Sequence, residues 1–250
     1  MMAVFSAAPT VAESTQLAPI PAHTAVYEVL RYGNKLGEIQ VELSQADDGI
    51  WLYETETHAT ARLARMMGLS AAESAYFMWH RDPQRAGHEL VLMLSYYQLA
   101  QGPLRTRFWR HQVDWADGVS STETREGDFT IAVEPGVVDP LTMRLQLAVM
   151  LQHDHDHEDD LHFRVLERTS VEDQQFLFRG RESVALPMGC VDSLAFHRFR
   201  REGSSRNYNS WHTESFYWMP VRMVQTRDDE PYIDIRLIET SLALDTQPCP

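Results

Sequence analysis

Apolar and polar side chains alternate one by one through most of this chain, in short runs separated by Gly, Asp, Asn and Pro. The run Glu38-Ile39-Gln40-Val41-Glu42-Leu43 sets Ile39, Val41 and Leu43 on one side and polar groups on the other. Successive side chains of an extended chain point to opposite faces, so a period of two predicts a strand with one buried and one wet face. Such runs predict strands at 25–32, 37–43, 50–57, 73–79, 88–99, 104–109 and 129–133. A second set is predicted at 161–166, 174–179, 182–186, 191–200, 206–212, 221–226 and 232–239. Asp47-Asp48-Gly49, Gly102-Pro103, Asp117-Gly118 and Asp228-Asp229-Glu230 supply turn chemistry between them. Gly33 and Gly37 flank Asn34-Lys35-Leu36, which predicts a hairpin turn needing positive φ. Pro187 and Gly189 predict a tight turn, and Pro220 suits a strand start or edge.

Two segments break the period. Thr60 to Leu69 suits a short helix or a wide turn through Leu63, Met66 and Met67. Asp139-Pro140 opens a helix, with Asp139 as N-cap and Pro140 at the first helical position, where its missing N–H costs nothing. Leu141, Leu145, Ala148 and Val149 form one stripe, which Met143, Leu147, Met150 and Leu151 widen, so this helix is expected to be buried. The expected fold is mainly β: a single curved antiparallel sheet forming an open or half barrel, with one buried helix at 139–152 plugging its concave face. Residues 1–23, broken by Pro9, Pro19 and Pro21, are expected to be a disordered N-terminus or the remnant of a signal peptide. Residues 24–242 form one β-domain, and 243–250 a flexible tail.

Composition narrows the function. The 250 residues are 44% hydrophobic, ample for a core, and carry a net charge of −14 from 22 basic and 36 acidic side chains. A duplex-binding module needs a basic footprint, which argues against a nucleic-acid partner. No stretch has the length of a transmembrane helix. Two cysteines are too few for a disulfide framework; Cys190 reads as a buried thiol and Cys249 as a thiol in the tail, with a bridge between them as the alternative. Met1 to Ala12 is apolar and rich in small residues but has no basic leading region. It reads as the end of a truncated secretory signal, against the alternative of a cytoplasmic protein with a loose N-terminus.

Several stretches, taken in order, resemble the DUF3108 family, a bacterial envelope domain of unknown function. They are Ala25-Val26-Tyr27-Glu28-Val29-Leu30-Arg31-Tyr32-Gly33, Leu36-Gly37-Glu38, Glu73-Ser74-Ala75-Tyr76-Phe77, Val113-Asp114-Trp115 and Val138-Asp139-Pro140-Leu141. Arg181-Glu182-Ser183, Leu186-Pro187-Met188-Gly189-Cys190-Val191-Asp192, Trp211 and Met219-Pro220-Val221-Arg222 complete the series. The resemblance implies a periplasmic protein with a curved, barrel-like sheet. It brings no catalytic residues.

Candidate chemistry is sparse. His153-Asp154-His155-Asp156-His157 would align three imidazoles on an extended segment, suiting Zn, Ni or Cu, whereas on a helix they would diverge. Arg198, Arg200, Arg201 and Arg206, with Tyr208, Trp211 and His212 beyond, form a basic cluster suited to carboxylates, sulfates or phosphates; His197 lies opposite Arg198 and Arg200. Glu73 and Glu182 would serve as acid and base on a glycosidic bond if they faced each other across a cleft. There is no Gly-x-Ser-x-Gly elbow, phosphate-binding glycine loop or His-Glu-x-x-His. Aromatic residues on the strands and Met66, Met67, Met93, Met143 and Met150 would line an adaptable interior.

The expected function is therefore a non-enzymatic periplasmic protein. It would bind a lipid-like or protein ligand in the concave face, with Arg198, Arg200, Tyr208 and Trp211 as binding residues and no cofactor. The alternatives are an enzyme acting on an acidic envelope polysaccharide, and a metal binder using His153, His155 and His157.

Overall fold

The computed structural model describes residues 19–47, 49–60, 70–81, 90–102, 107–153, 160–199, 206–228 and 230–249. Eight strands come first: β1 (His23–Arg31), β2 (Asn34–Asp47), β3 (Ile50–Ala59), β4 (Ala71–Arg81), β5 (Leu90–Gln101), β6 (Arg107–Asp114), β7 (Val119–Thr124) and β8 (Gly127–Ala132). A two-residue strand β9 (Val137–Val138) leads into the helix α1 (Met143–His153). Then follow β10 (Leu161–Leu166), β11 (Val171–Leu186), β12 (Gly189–Phe199), β13 (Arg206–His212), a single turn of tighter helix at Glu214–Phe216, β14 (Pro220–Arg227) and β15 (Glu230–Thr240).

All fifteen strands belong to one sheet. From β1 the chain meanders outward to β8, crosses to the far edge at β9, and meanders back to β15, which pairs with β1. Every pairing is antiparallel except β9 with β10. A sheet this wide twists and curls, and here it wraps around α1 as the alternation requires. The two edges, β8 and β9, are neighbours in sequence, yet no ladder joins them among the described residues. Across this seam Arg168, from the β10–β11 turn, pairs with Glu126 of the β7–β8 turn. The expected mainly β, open barrel with one buried helix is what the chain forms.

The interior is one continuous core. Tyr27, Tyr53, Phe77, Leu94, Tyr97, Phe196 and Leu237 enter it from the strands, and Leu145, Leu147 and Leu151 from α1. Asp139 caps the helix as expected, its Oδ1 accepting the N–H groups of Leu141 at 2.7 Å and Thr142 at 3.0 Å. Regular helix begins only at Met143, because residues 140–142 form the capping turn.

Several expectations need correction. The hairpin turn between β1 and β2 is Tyr32-Gly33, both at positive φ, and not Asn34-Lys35-Leu36. Gly37 lies inside β2, where a β-carbon would meet the carbonyl oxygen of His58 at 2.3 Å; it is a close-approach glycine, not a turn glycine. The segments 174–179 and 182–186 are one strand, β11, continuous through a bulge between Phe178 and Gly180 that Gly180 enters at φ 119°. β7 and β9 were not anticipated. The region 61–69 lies outside the described residues.

The C-terminal tail is not loose. Cys190 and Cys249 form a disulfide, and Cys190 and Gln247 exchange two backbone hydrogen bonds of 2.8 Å. Hydrogen bonds that fix Gln247 against β12 bring the tail thiol to Cys190, which the separation of 59 residues concealed. The expected turn at Pro187-Met188 and the strand start at Pro220 are both present.

Candidate functional site

The helix inside the barrel carries one arginine, at the start of its first turn. Arg144 lies among Tyr27, Tyr53, Tyr97 and Glu73, with Tyr53 within its hydrogen-bonding reach. Glu73 sits in phase with Ala75, Phe77 and Trp79 on the inward face of β4, so the alternation that buries those three turns the carboxylate into the barrel. Burial opposes the Arg144 charge, but Tyr53, Glu73, Tyr27 and Tyr97 more than offset it, and its pKa is raised. For Glu73 burial dominates and pushes the pKa up, against the pull of Arg144 and Arg107. The Tyr53 hydroxyl is pushed up to about 12, chiefly by burial. The Tyr27 hydroxyl donates to the carbonyl of Pro220 at 2.8 Å and ties β1 to the start of β14.

Beside this cluster the helix does not fill its space. A hollow of about 140 Å³ runs between α1 and β12–β15, lined on its apolar side by Met143, Leu147, Phe176, Met223 and Ile235. Its polar side carries Arg144, Arg198, Tyr208, Ser210 and Gln225. Ile233 also lines a second hollow of about 170 Å³, whose walls include Val29, Leu36, Gly37, Ala59 and Ala71. His212 closes the first hollow at its floor: Nδ1 donates to the Trp218 carbonyl and Nε2 faces the Ser210 hydroxyl, each at 2.9 Å. Burial lowers the His212 pKa to about 4, so the ring is neutral and brings no charge to the hollow.

The basic cluster expected from sequence divides between two faces. Arg198 and Tyr208 are register partners across β12 and β13 and point into the first hollow, the guanidinium carbon 5.6 Å from the phenol ring centre. Trp211 points the other way: its Nε1 donates to Glu182 at 2.5 Å, and Arg222 lies 5.1 Å over its ring. His197 is likewise on that outer face, against Asn209 at 2.9 Å. Glu73 lies within the barrel and Glu182 outside it, so these carboxylates do not face each other across a cleft. Arg200 lies outside the described residues.

His153 ends α1 on the surface, and His155 and His157 lie outside the described residues. No group of three or more potential metal ligands occurs among the described residues. A wider surface cleft of about 650 Å³ lies between the β11–β12 hairpin and the tail. Its charged walls include Glu182, Asp192, Glu214 and Asp245, with Arg181 as the one cation. The interior hollow differs from it in being apolar, narrow and without a carboxylate.

Sequence reasoning did not find Arg144, which sits within an apolar stripe and resembles an ordinary surface position. The signal was present in its surroundings, because an arginine on a helix apolar nearly all round has no solvated face to occupy.

No family model matches this chain, and no curated protein matches it. Among solved structures it is similar to the crystal structure of a β-barrel-like protein of the domain of unknown function DUF1849 from Brucella abortus. The two share 9% identity with a TM-score of 0.52, over 89% of this chain and 98% of the other. That likeness is one of fold.

Proposed function

We propose that this is a non-enzymatic protein of the bacterial cell envelope that binds a lipid-like ligand in the concave interior of its half barrel. The observation that carries the reading is the hollow beside α1, apolar along Met143, Leu147, Phe176, Met223 and Ile235 and met by Arg198 and Tyr208, with a second apolar hollow that shares Ile233 in its wall. Concave, mostly apolar spaces with a few convergent polar groups are where small molecules bind. Their narrowness favours an aliphatic chain over a protein segment, since a helix with its side chains is about 10 Å across or more. Catalysis on a polysaccharide is not favoured, because Arg198 and Tyr208 stand on one face and His197 and Glu182 on the other.

Export to the periplasm belongs to the same proposal. The Cys190–Cys249 bridge supports it, because disulfides persist in oxidising compartments and are rare in a reducing cytoplasm. The ordered motifs resembling DUF3108 point the same way, and kinship with that family is part of the proposal.

Native mass spectrometry of protein recovered from the cell envelope without detergent tests the ligand. A lipid-like adduct that remains bound to the intact chain is the expected result, and a bare chain mass would overturn it. Osmotic-shock fractionation tests the compartment, with the oxidised chain expected in the released fraction.

A further inference from the structure

On part of its convex face the sheet carries hydrocarbon where the alternation calls for polar groups. Along β3, β4 and β5 the buried side chains Trp51, Tyr53, Ala75, Phe77, Leu94 and Tyr97 point inward. Between them Ile50, Leu52, Tyr76, Met78, Met93 and Tyr96 point outward, and none of these is fully buried. A register shift beside Tyr76 keeps Met93 and Tyr96 on one side despite their odd spacing. Pairing gathers the six into one block: Leu52, Tyr76 and Tyr96 form a row across the three strands, and Ile50, Met78 and Met93 the next. On the central strand Tyr76 is 38% exposed and Met78 46%. The Tyr76 and Tyr96 rings meet edge to face at 5.9 Å. Single exposed hydrophobic residues are ordinary, whereas a contiguous block marks a surface of association.

The residues around the block indicate what covers it. The row through Tyr76 continues as Ser44 on β2 and as Gln112 and Ser121 on β6 and β7, so no charge interrupts it. The adjacent row runs Glu54, Ser74, Gln98 and Arg110 from β3 to β6. Glu54 and Arg110 therefore stand at one level, equally far from the line between β4 and β5. Both are exposed, and Arg110 pairs with Glu123 of its own chain. Copies of a chain with net charge −14 repel one another, so they associate only where carboxylates do not oppose carboxylates. This block, apolar at its centre with opposite charges at its two margins, meets that condition.

We propose that the chain pairs with a second copy through this face, about a two-fold axis lying along the sheet between β4 and β5. That axis sets β4 of each copy against β5 of the other, and β3 against β6. Tyr76 then meets Tyr96 of the partner subunit, and Met78 meets Met93 of the partner subunit. Glu54 meets Arg110 of the partner subunit at both ends of the contact. The methionines, being flexible, fill the gaps between two curved surfaces. Curvature keeps the contact small: three strands about 4.8 Å apart and two rows about 7 Å apart. Contacts below about 1,200 Å² in total belong to weak complexes, so this dimer comes apart on dilution. The pairing concerns the outer face and holds whatever the interior binds.

Analytical ultracentrifugation of the full chain from low micromolar to millimolar concentration tests the proposal. A reversible rise of the mean mass toward that of two chains is expected. Met78→Lys places a charge at the centre of the block, on a side chain already half exposed. It should leave the urea midpoint unchanged and weaken association about tenfold or more. Glu54→Arg and Arg110→Glu should each weaken it similarly when alone, because like charges then face each other at both margins. An equimolar mixture of those two variants should associate again, since every cation then faces an anion. A misfolded variant would show no such rescue.

A single-chain mass at every concentration overturns the proposal and leaves the face to a different partner. Association that Met78→Lys leaves intact overturns it too, as does a mixture that stays as dissociated as its components.

Discussion

Gly189 lies directly against Thr246: a β-carbon on the glycine would stand 2.8 Å from the threonine Cβ. The tail docks on the β11–β12 hairpin because the residue beneath it has no side chain, and because Gly189 adopts φ 134°, where other residues are strained. Gly189→Ala is expected to lose about 1–3 kcal/mol of stability in urea unfolding. Combined with Cys249→Ser the losses should add to less than their sum, since both release one segment. Full additivity would show that the tail is held elsewhere.

The disulfide joins residues 59 apart. Closing a loop of that length in the unfolded chain contributes roughly 4 kcal/mol on the chain-entropy account, with about 2–4 kcal/mol commonly measured. Cys249→Ser should therefore lower the unfolding free energy by about that amount, and dithiothreitol should do the same to the native chain. An unchanged urea midpoint under reduction would contradict the assignment.

Removing Arg144 leaves Glu73 inside the barrel without its cation. Arg144→Met is expected to cost about 1–3 kcal/mol, because Glu73 and the Tyr53, Tyr27 and Tyr97 hydroxyls lose the cation among them. Adding Glu73→Gln to it should restore a large part of the loss. A double variant as unstable as the single one would mean that Arg144 acts through packing alone.

Acid pulls the interior in two directions. Burial holds His111 and His212 near pKa 4 against 6.5 in the unfolded chain. Between those values the unfolded state binds the extra proton, so each histidine contributes stability that is lost as pH falls, at most about 3 kcal/mol. Asp139 behaves oppositely: burial raises it from 3.8 to about 6, so its folded form binds the proton more tightly. Its contribution is present below the unfolded value and is lost as pH rises toward 6, again about 3 kcal/mol at most. His111 and His212, joined by His23 whose pKa burial also lowers, outweigh Asp139 and Glu73, and stability is expected to fall from pH 7 to pH 4. Asp139→Asn keeps an acceptor for the Leu141 and Thr142 amides but removes the opposing titration, so the acid loss should become steeper. Urea midpoints across that range measure it, and an unchanged slope would rule out a buried titration at Asp139.

The parts of this fold that were legible in the sequence are those where apolar side chains mark the inward face. β2, with Val41 and Leu43 buried, is such a case. β7 was not, because its inward residues are Ser120, Thr122 and Thr124, which bury hydroxyls beside His111 rather than hydrocarbon. Its polar composition reads as a loop. β11 appeared as two strands because Gly180 interrupts the alternation at a bulge. At the site, Arg198 and Tyr208 could be named from their clustering. Their separation from Trp211 follows from strand phase, and the gathering of Tyr27, Tyr53, Glu73 and Tyr97 around Arg144 spans strands and helix that no local pattern connects.

The seam between β8 and β9 gives the molecule a girth that strand number does not fix. In a closed barrel the circumference is set by a ring of hydrogen bonds, and enlarging it means tearing a ladder. Here no ladder crosses the seam among the described residues, and the ion pairs near it, Arg168 with Glu126 and Arg164 with Glu134, are of a surface kind worth about 1 kcal/mol or less. What holds the two edges together is therefore the hydrocarbon they share, with Ile131 and Val133 on one side and Val137 and Val138 on the other all shut away from water.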